Sequence, residues 1–166
     1  MKKSLAVIAV AILSLSFIQE SNAQASANQT VNLTVSAVYK ISTSGNPGAL
    51  TISNGTAGVD ALTSVSDNSS TYSITQNVGN TVKITAYLNS ALSAGYTLTL
   101  GLASTQGTSA GSVDISSATS GSAVDVVTAI SRGADAGKAI TYNFSADASA
   151  GTLSATSKTL TLTLTN

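Results

Sequence analysis

Apolar and polar residues alternate along several stretches of the chain, most regularly at its C-terminal end. In KTLTLTLTN, Leu160, Leu162 and Leu164 alternate with threonines. A period of two is the repeat of a β-strand with one apolar and one polar face. The pattern predicts a strand over 159–165 whose leucines lie in the core and whose threonines face outward.

The same periodicity predicts a series of earlier strands. They are one long strand at 28–42 with a bulge near 36–37, then 49–53, 71–78, 80–88, 96–102, 112–116, 123–131 and 139–146. At 123–131 a helical turn is the alternative. Turn residues such as SGNPG at 44–48 separate the strands, and loops are predicted at 59–70, 103–111 and 132–138. The fold class predicted is all-β, an antiparallel two-sheet β-sandwich that is immunoglobulin-like in the broad sense.

Alternation also predicts which side chains face inward. The predicted core residues are Tyr72, Ile74, Gln76, Val82, Ile84, Ala86, Leu88, Tyr96, Leu98, Leu100, Leu102, Ile140, Tyr142, Phe144 and Ala146. The C-terminal strand is predicted to pair with 96–102 or 139–146, with preference for the latter, because a short loop costs less closure entropy.

The N-terminal segment has the layout of a secretory signal peptide. Lys2 and Lys3 precede an apolar run over 5–18, and small residues follow. This run is shorter than the roughly 20 residues that span a bilayer. The predicted organisation is a signal peptide at 1–25 and a single β-sandwich domain at 26–166, exported to the cell surface or medium, with no transmembrane segment in the mature chain.

Two cleavage sites satisfy the small-x-small rule, after Ala23 and after Ala25. We therefore expect the exported protein to lack residues 1–23 or 1–25. Intact-mass measurement of exported protein checks this. A mass that retains Met1 would contradict the signal-peptide prediction and the predicted compartment.

Charge and residue types narrow the chemistry. Beyond the predicted signal peptide, the charged side chains are Lys40, Lys83, Arg132, Lys138, Lys158, Asp60, Asp67, Asp114, Asp125, Asp135 and Asp147. No basic patch is evident, so nucleic acid is not a predicted partner. The chain has no His and no Cys, which excludes Ser-His-Asp triads, Cys-His pairs and the usual zinc sites. We predict a protein that is not an enzyme, without catalytic residues or cofactors.

Three parts of the sequence are candidate binding sites. GADAGKA at 133–139 is one residue short of a P-loop and has Ala139 where the motif needs Ser or Thr. Asp60, Asp67 and Asn68 are the candidate calcium ligands, since calcium prefers loop oxygens, but EF-hand spacing is missing. Tyr87 is a candidate exposed platform for sugar, against the simpler reading of a half-buried strand tyrosine. The metal site is therefore left as unknown.

The segments VKITAYLNSALSAGYTLTLGLAS (82–104) and AITYNFSADASAGTLSATSKTLTLTLT (139–165) resemble uncharacterised secreted bacterial surface and fimbria-like proteins. This resemblance implies a structural or adhesive subunit of the cell surface or matrix. Donor-strand pilins of the chaperone–usher type usually carry a cysteine pair, and this chain has none, so no functional residue is carried over.

The leading hypothesis is therefore a secreted structural or adhesive protein. Its partners would be other copies, through strand-mediated assembly, or surface polymers. The alternative is a small extracellular binding module for carbohydrate or calcium. If the protein polymerises, residues 29–35 are the predicted donor strand, because they lead the mature chain.

Overall fold

The computed structural model describes residues 25–79 and 81–166, so the predicted signal peptide, apart from Ala25, lies outside the described residues. A compact unit runs from Val35 to Asn166. Its strands are β1 (Tyr39–Ser44), β2 (Val65–Asp67), β3 (Thr71–Gln76), β4 (Val82–Leu88), β5 (Tyr96–Leu102), β6 (Thr108–Ser109), β7 (Val113–Asp114), β8 (Val124–Ile130), β9 (Gly133–Ala146) and β10 (Leu160–Thr165). A three-residue 3₁₀-helix, Ala148–Ala150, lies between β9 and β10.

The strands form two antiparallel sheets, as the alternation predicted. One sheet has the order β1-β3-β9-β5-β7, with β2 also paired to β9, and the other has the order β10-β4-β8-β6. Strands β1 and β10 are each at the edge of their sheet. The all-β class and the two-sheet sandwich are thereby confirmed.

The core lies between the sheets and includes most of the predicted inward residues. Leu98 and Phe144 are only half-buried, and Val126, Val127 and Ile130 of β8 are buried although they were not predicted. Val82, Ile84, Ala86 and Leu88 are buried on β4, as are Leu100 and Leu102 on β5. On β3, Tyr72, Ile74 and Gln76 are all buried. The Gln76 amide is satisfied there: its Nε2 donates to the Ile130 carbonyl at 2.9 Å, and its Oε1 accepts from the Val78 N–H at 2.8 Å. A polar residue in a core position is tolerated because its hydrogen bonds are made internally.

Strand β9 corrects the predicted loop at 132–138. It begins at Gly133, pairs with β3 over 133–139 and continues along β5 over 140–146. Its first half carries few apolar residues, so alternation did not reveal it. The inward position there is occupied by Asp135, which is buried and held by hydrogen bonds instead of apolar packing.

The predictions for two strands, at 28–42 and 49–53, were wrong. Of the long strand at 28–42, only the part from Tyr39 is paired, and β1 continues to Ser44. Residues 49–53 form no strand, although Leu50 and Ile52 are half-buried. The short strands β2 and β6 lie in segments predicted as loops, where their polar sequences gave no periodic signal.

The predicted partner of the C-terminal strand was also wrong. Strand β10 pairs with β4, from Leu160 opposite Leu88 to Thr165 opposite Lys83. The connection from β9 to β10 crosses from one sheet to the other, so a short loop does not produce a hairpin here. The leucines of β10 pack against the core as predicted, but they are only half-buried.

Among the residues that the structure describes, we find no helix with the length and apolar character needed to cross a membrane.

Candidate functional site

A groove lies between the edge strands β1 and β10 of the compact unit. It has a volume of about 1230 Å³. Apolar residues from both strands, from the 45–52 loop and from the core line it, among them Ile41, Leu50, Tyr96, Ile140, Leu160 and Leu162. The Tyr96 and Phe144 rings stack at its wall with centroids 6.5 Å apart. The 151–159 segment and hydroxyl side chains of β1 and β10 line it as well, so the groove is a mixed apolar and polar channel along one side of the sandwich.

Both walls of this groove are sheet edges. Within the described residues, β1 has no strand partner except β3, and β10 has none except β4. A smaller hollow of about 310 Å³ is lined by Tyr39 together with Leu164, Thr165 and Asn166. The start of β1 therefore lies beside the end of β10, and the two edges run in opposite directions along the groove. Unpaired strand edges of this kind are templates for another strand.

The leucines of β10 are only half-buried because β10 lies at an open sheet edge beside the groove. Leu160, Leu162 and Leu164 pack on the core from one side, while Leu160 and Leu162 also line the groove. An inward-facing leucine in a closed sandwich would be covered on all sides. Apolar side chains are therefore partly exposed to solvent along this groove.

The segment before β1 has the complementary character. Residues 25–37 form no strand, and Val31, Leu33 and Val35 are 69 %, 86 % and 85 % exposed. Large apolar side chains at three alternate positions are rarely left in water together. Sequence periodicity identified this segment as a strand, but in the part of the chain that the structure describes it pairs with no strand.

The base of that segment is held by one side chain that sequence reasoning missed. The Nδ2 of Asn77 donates to the Ser36 carbonyl at 2.9 Å, and its Oδ1 accepts from the Val38 N–H at 2.8 Å. The Asn77 N–H also donates to the Val38 carbonyl at 3.4 Å. Asn77 directly follows β3, so these bonds extend the β1–β3 pairing beyond Tyr39. Nothing in the local sequence distinguishes this asparagine from other loop asparagines.

The candidate calcium ligands are engaged elsewhere. Asp60 accepts from the backbone N–H and the hydroxyl of Ser149, each at 2.8 Å. Asp67, which precedes Asn68, accepts from the Ser69 hydroxyl at 2.8 Å and its N–H at 3.0 Å. These two bonds lower the pKa of the Asp67 carboxyl. Over residues 25–79 and 81–166, no three acidic side chains meet in an arrangement that would hold a metal ion.

The candidate sugar platform, Tyr87, is half-buried on β4 opposite Thr161 and packs against the edge of the core. This agrees with an ordinary strand tyrosine better than with an exposed platform. Tyr142, in contrast, is buried at the groove, and burial raises the pKa of its hydroxyl.

Asp135 is the most strongly engaged carboxylate. It accepts from the Ser104 hydroxyl at 2.8 Å, the Thr105 N–H at 2.9 Å, the Gln106 N–H at 3.1 Å and the Thr105 hydroxyl. The Lys138 ammonium lies 3.5 Å away. Burial by itself favours the neutral acid, but the hydrogen bonds from residues 104–106 outweigh it and hold the pKa of Asp135 well below its ordinary value. A carboxylate so fully satisfied fastens the 104–106 loop to β9.

The comparisons with known proteins add no relative to this geometry. No protein-family model matches the sequence, and no curated protein matches it.

Proposed function

We propose that this protein is a non-enzymatic, exported structural or adhesive subunit of the bacterial cell surface that assembles with copies of itself. In this assembly, residues 29–35 of one copy occupy the groove of the next. The observation that carries the proposal is that one chain holds both an exposed segment with alternating apolar residues, 29–35, and a groove lined in part by apolar side chains. Surface polymers are the alternative partners.

The lengths match. Seven extended residues, 29–35, span about 23 Å, and the six residues of β10 span about 20 Å at ~3.3 Å per residue. Strands β1 and β10 approach within 8 Å between Cα atoms at several residues, so an inserted strand has room to pair with both edges only where the two strands diverge. Elsewhere its backbone N–H and C=O groups would pair with one free edge, which still covers an unprotected edge.

The faces match as well. Val31, Leu33 and Val35 share one face of an extended strand, and Thr30, Asn32 and Thr34 share the other. With the apolar face turned into the groove, these side chains would cover the half-exposed leucines of β10. The polar face would then complete the hydroxyl-rich surface. Each fully buried Val or Leu contributes about 1.5–3 kcal/mol.

Two further elements belong to the proposal. The immunoglobulin-like topology is supported by sheet neighbours that are non-consecutive along the chain, as Greek-key connections require. Export is supported by the basic and apolar start of the sequence. A rod of such subunits needs no catalytic group.

The test is assembly of the mature protein, measured by light scattering after size exclusion and by electron microscopy. Wild-type protein is expected to form linear oligomers. The variant V31T/L33T/V35T places a β-branched residue that favours strands at each position but loses apolar contact there, about 1–2 kcal/mol apiece. We expect its half-assembly concentration to rise by more than about 100-fold.

The control variant T30A/N32A/T34A changes the opposite face of the same segment. It should assemble within a few-fold of wild type, since those positions face solvent in the proposed complex. A wild-type protein that stays monomeric at all accessible concentrations would contradict the proposal. Equal loss of assembly in both triple variants would contradict the assigned faces.

A further inference from the structure

A strand that can enter a neighbour's groove can in principle enter its own. Only residues 36–38 separate the donor segment from β1, so a turn there would fold residues 29–35 back along the free edge of β1. A connection this short gives the intramolecular reaction a large advantage, equivalent to an effective concentration in the millimolar range. Assembly between copies therefore requires a structural feature that keeps residues 29–35 out of the groove of their own chain.

Asn77 lies where such a device is needed. Strand β3 flanks one edge of β1, and the groove lies along the other edge. The Asn77 side chain binds the carbonyl of Ser36 and the N–H of Val38, the two ends of the would-be turn. Both bonds hold this backbone on the β3 side. A turn toward the groove would have to break them together.

We propose that Asn77 is a positioning residue that prevents the donor segment from entering its own groove and so directs it to a second copy. This role rests on the proposed function and deepens it. Asn77 is not among the residues that line the groove, and its side-chain hydrogen bonds go to residues 36 and 38. It acts only through the direction of the chain at 36–38.

The experiment compares the mature wild-type protein with N77A. Loss of the two side-chain hydrogen bonds should shift the balance between the open and self-inserted forms by about 5- to 150-fold. N77A is therefore expected to run mainly as a monomer at concentrations where wild type is oligomeric. Its monomer should also melt at a higher temperature than the monomeric V31T/L33T/V35T variant, because its groove is filled.

Two further variants separate this role from a merely structural one. N143A removes a comparable half-buried asparagine, whose Nδ2 donates to the Ser66 hydroxyl at 2.9 Å, and should assemble as wild type does. Combining N77A with V31T/L33T/V35T should cancel the gain in melting temperature. If Asn77 only supported the fold, N77A would melt lower with or without the apolar donor residues.

The outcomes distinguish the two proposals. Wild-type protein that never assembles overturns the proposed function and the role of Asn77 with it. Wild-type protein that assembles while N77A assembles equally well overturns the role of Asn77 alone. A monomeric N77A whose melting temperature does not depend on Val31, Leu33 and Val35 also overturns it.

Discussion

Deletion of residues 158–166 is expected to unfold the domain. Strand β10 covers one edge of β4 over its whole length, and its three leucines pack on the core. Full burial of a leucine contributes about 1.5–3 kcal/mol, so three half-buried ones contribute about 2–5 kcal/mol together. The six-residue ladder with β4 is lost in addition. The total approaches the whole stability of a domain, about 5–15 kcal/mol.

Circular dichroism and limited proteolysis of the truncated protein measure this effect. The matched control is deletion of residues 24–35, which removes a segment of similar length and pattern that has no strand partner in the described structure. That deletion should leave the melting temperature of the monomer nearly unchanged and abolish assembly. A stable monomer after the C-terminal deletion would make β10 the strand that is offered to a neighbour.

The substitution Asp135→Ala is expected to lower the free energy of unfolding by about 3–5 kcal/mol. The N–H groups of Thr105 and Gln106 and the nearby Lys138 ammonium would all lose the buried carboxylate that accepts from them or pairs with them. Unsatisfied polar groups in a buried site cost more than the bonds themselves contributed. Urea denaturation of wild type and variant gives the difference directly.

Asp125→Ala is the matched control for that measurement. Asp125 also forms an ion pair, with Lys83 at 2.9 Å, but both side chains are substantially exposed. Exposed pairs contribute at most about 1 kcal/mol. Equal losses at the two positions would show that the bonds between Asp135 and the 104–106 loop do not stabilise the fold.

The Asp135 contribution should also depend on pH. Its pKa in the folded protein is below that of an unfolded aspartate, which is about 3.9. Between those two values the unfolded chain binds more protons, so the free energy of unfolding rises with pH there. The stabilisation is complete above about pH 4 and declines as the medium becomes more acid. The gap between wild type and D135N should therefore narrow below pH 4, and a constant gap would contradict this account.

The sequence predicted those strands whose inward faces are apolar. On β4 and β5 the alternation is unbroken, and the predicted inward residues of β4 are all buried. The first half of β9 was not predicted as a strand because its inward residue is Asp135. Hydrogen bonds make the burial of this carboxylate possible. Residues 49–53 alternate equally well but form no strand. Periodicity indicates which side chains share a face, but it does not indicate whether another strand is available for pairing.

The candidate site was predictable only in part, for the same reason. Periodicity identified 29–35 as an apolar strand without revealing that it is exposed. The groove depends on which strands are sheet edges, and the partner of β10 was wrongly predicted because loop length suggested a hairpin with β9. The two side-chain hydrogen bonds of Asn77 join four atoms from residues 36, 38 and 77, which no local sequence pattern records.

The position of the groove in the chain imposes an order of events during folding. Its walls, β1 and β10, are the first and last strands that the structure describes. Pairings between segments far apart in sequence form slowly, typically over milliseconds to seconds in all-β domains. A chain in which β10 has not yet docked has β1 but no groove. The groove comes into existence only when the last strand docks, so the proposed assembly would require each copy to finish folding before it accepts another strand.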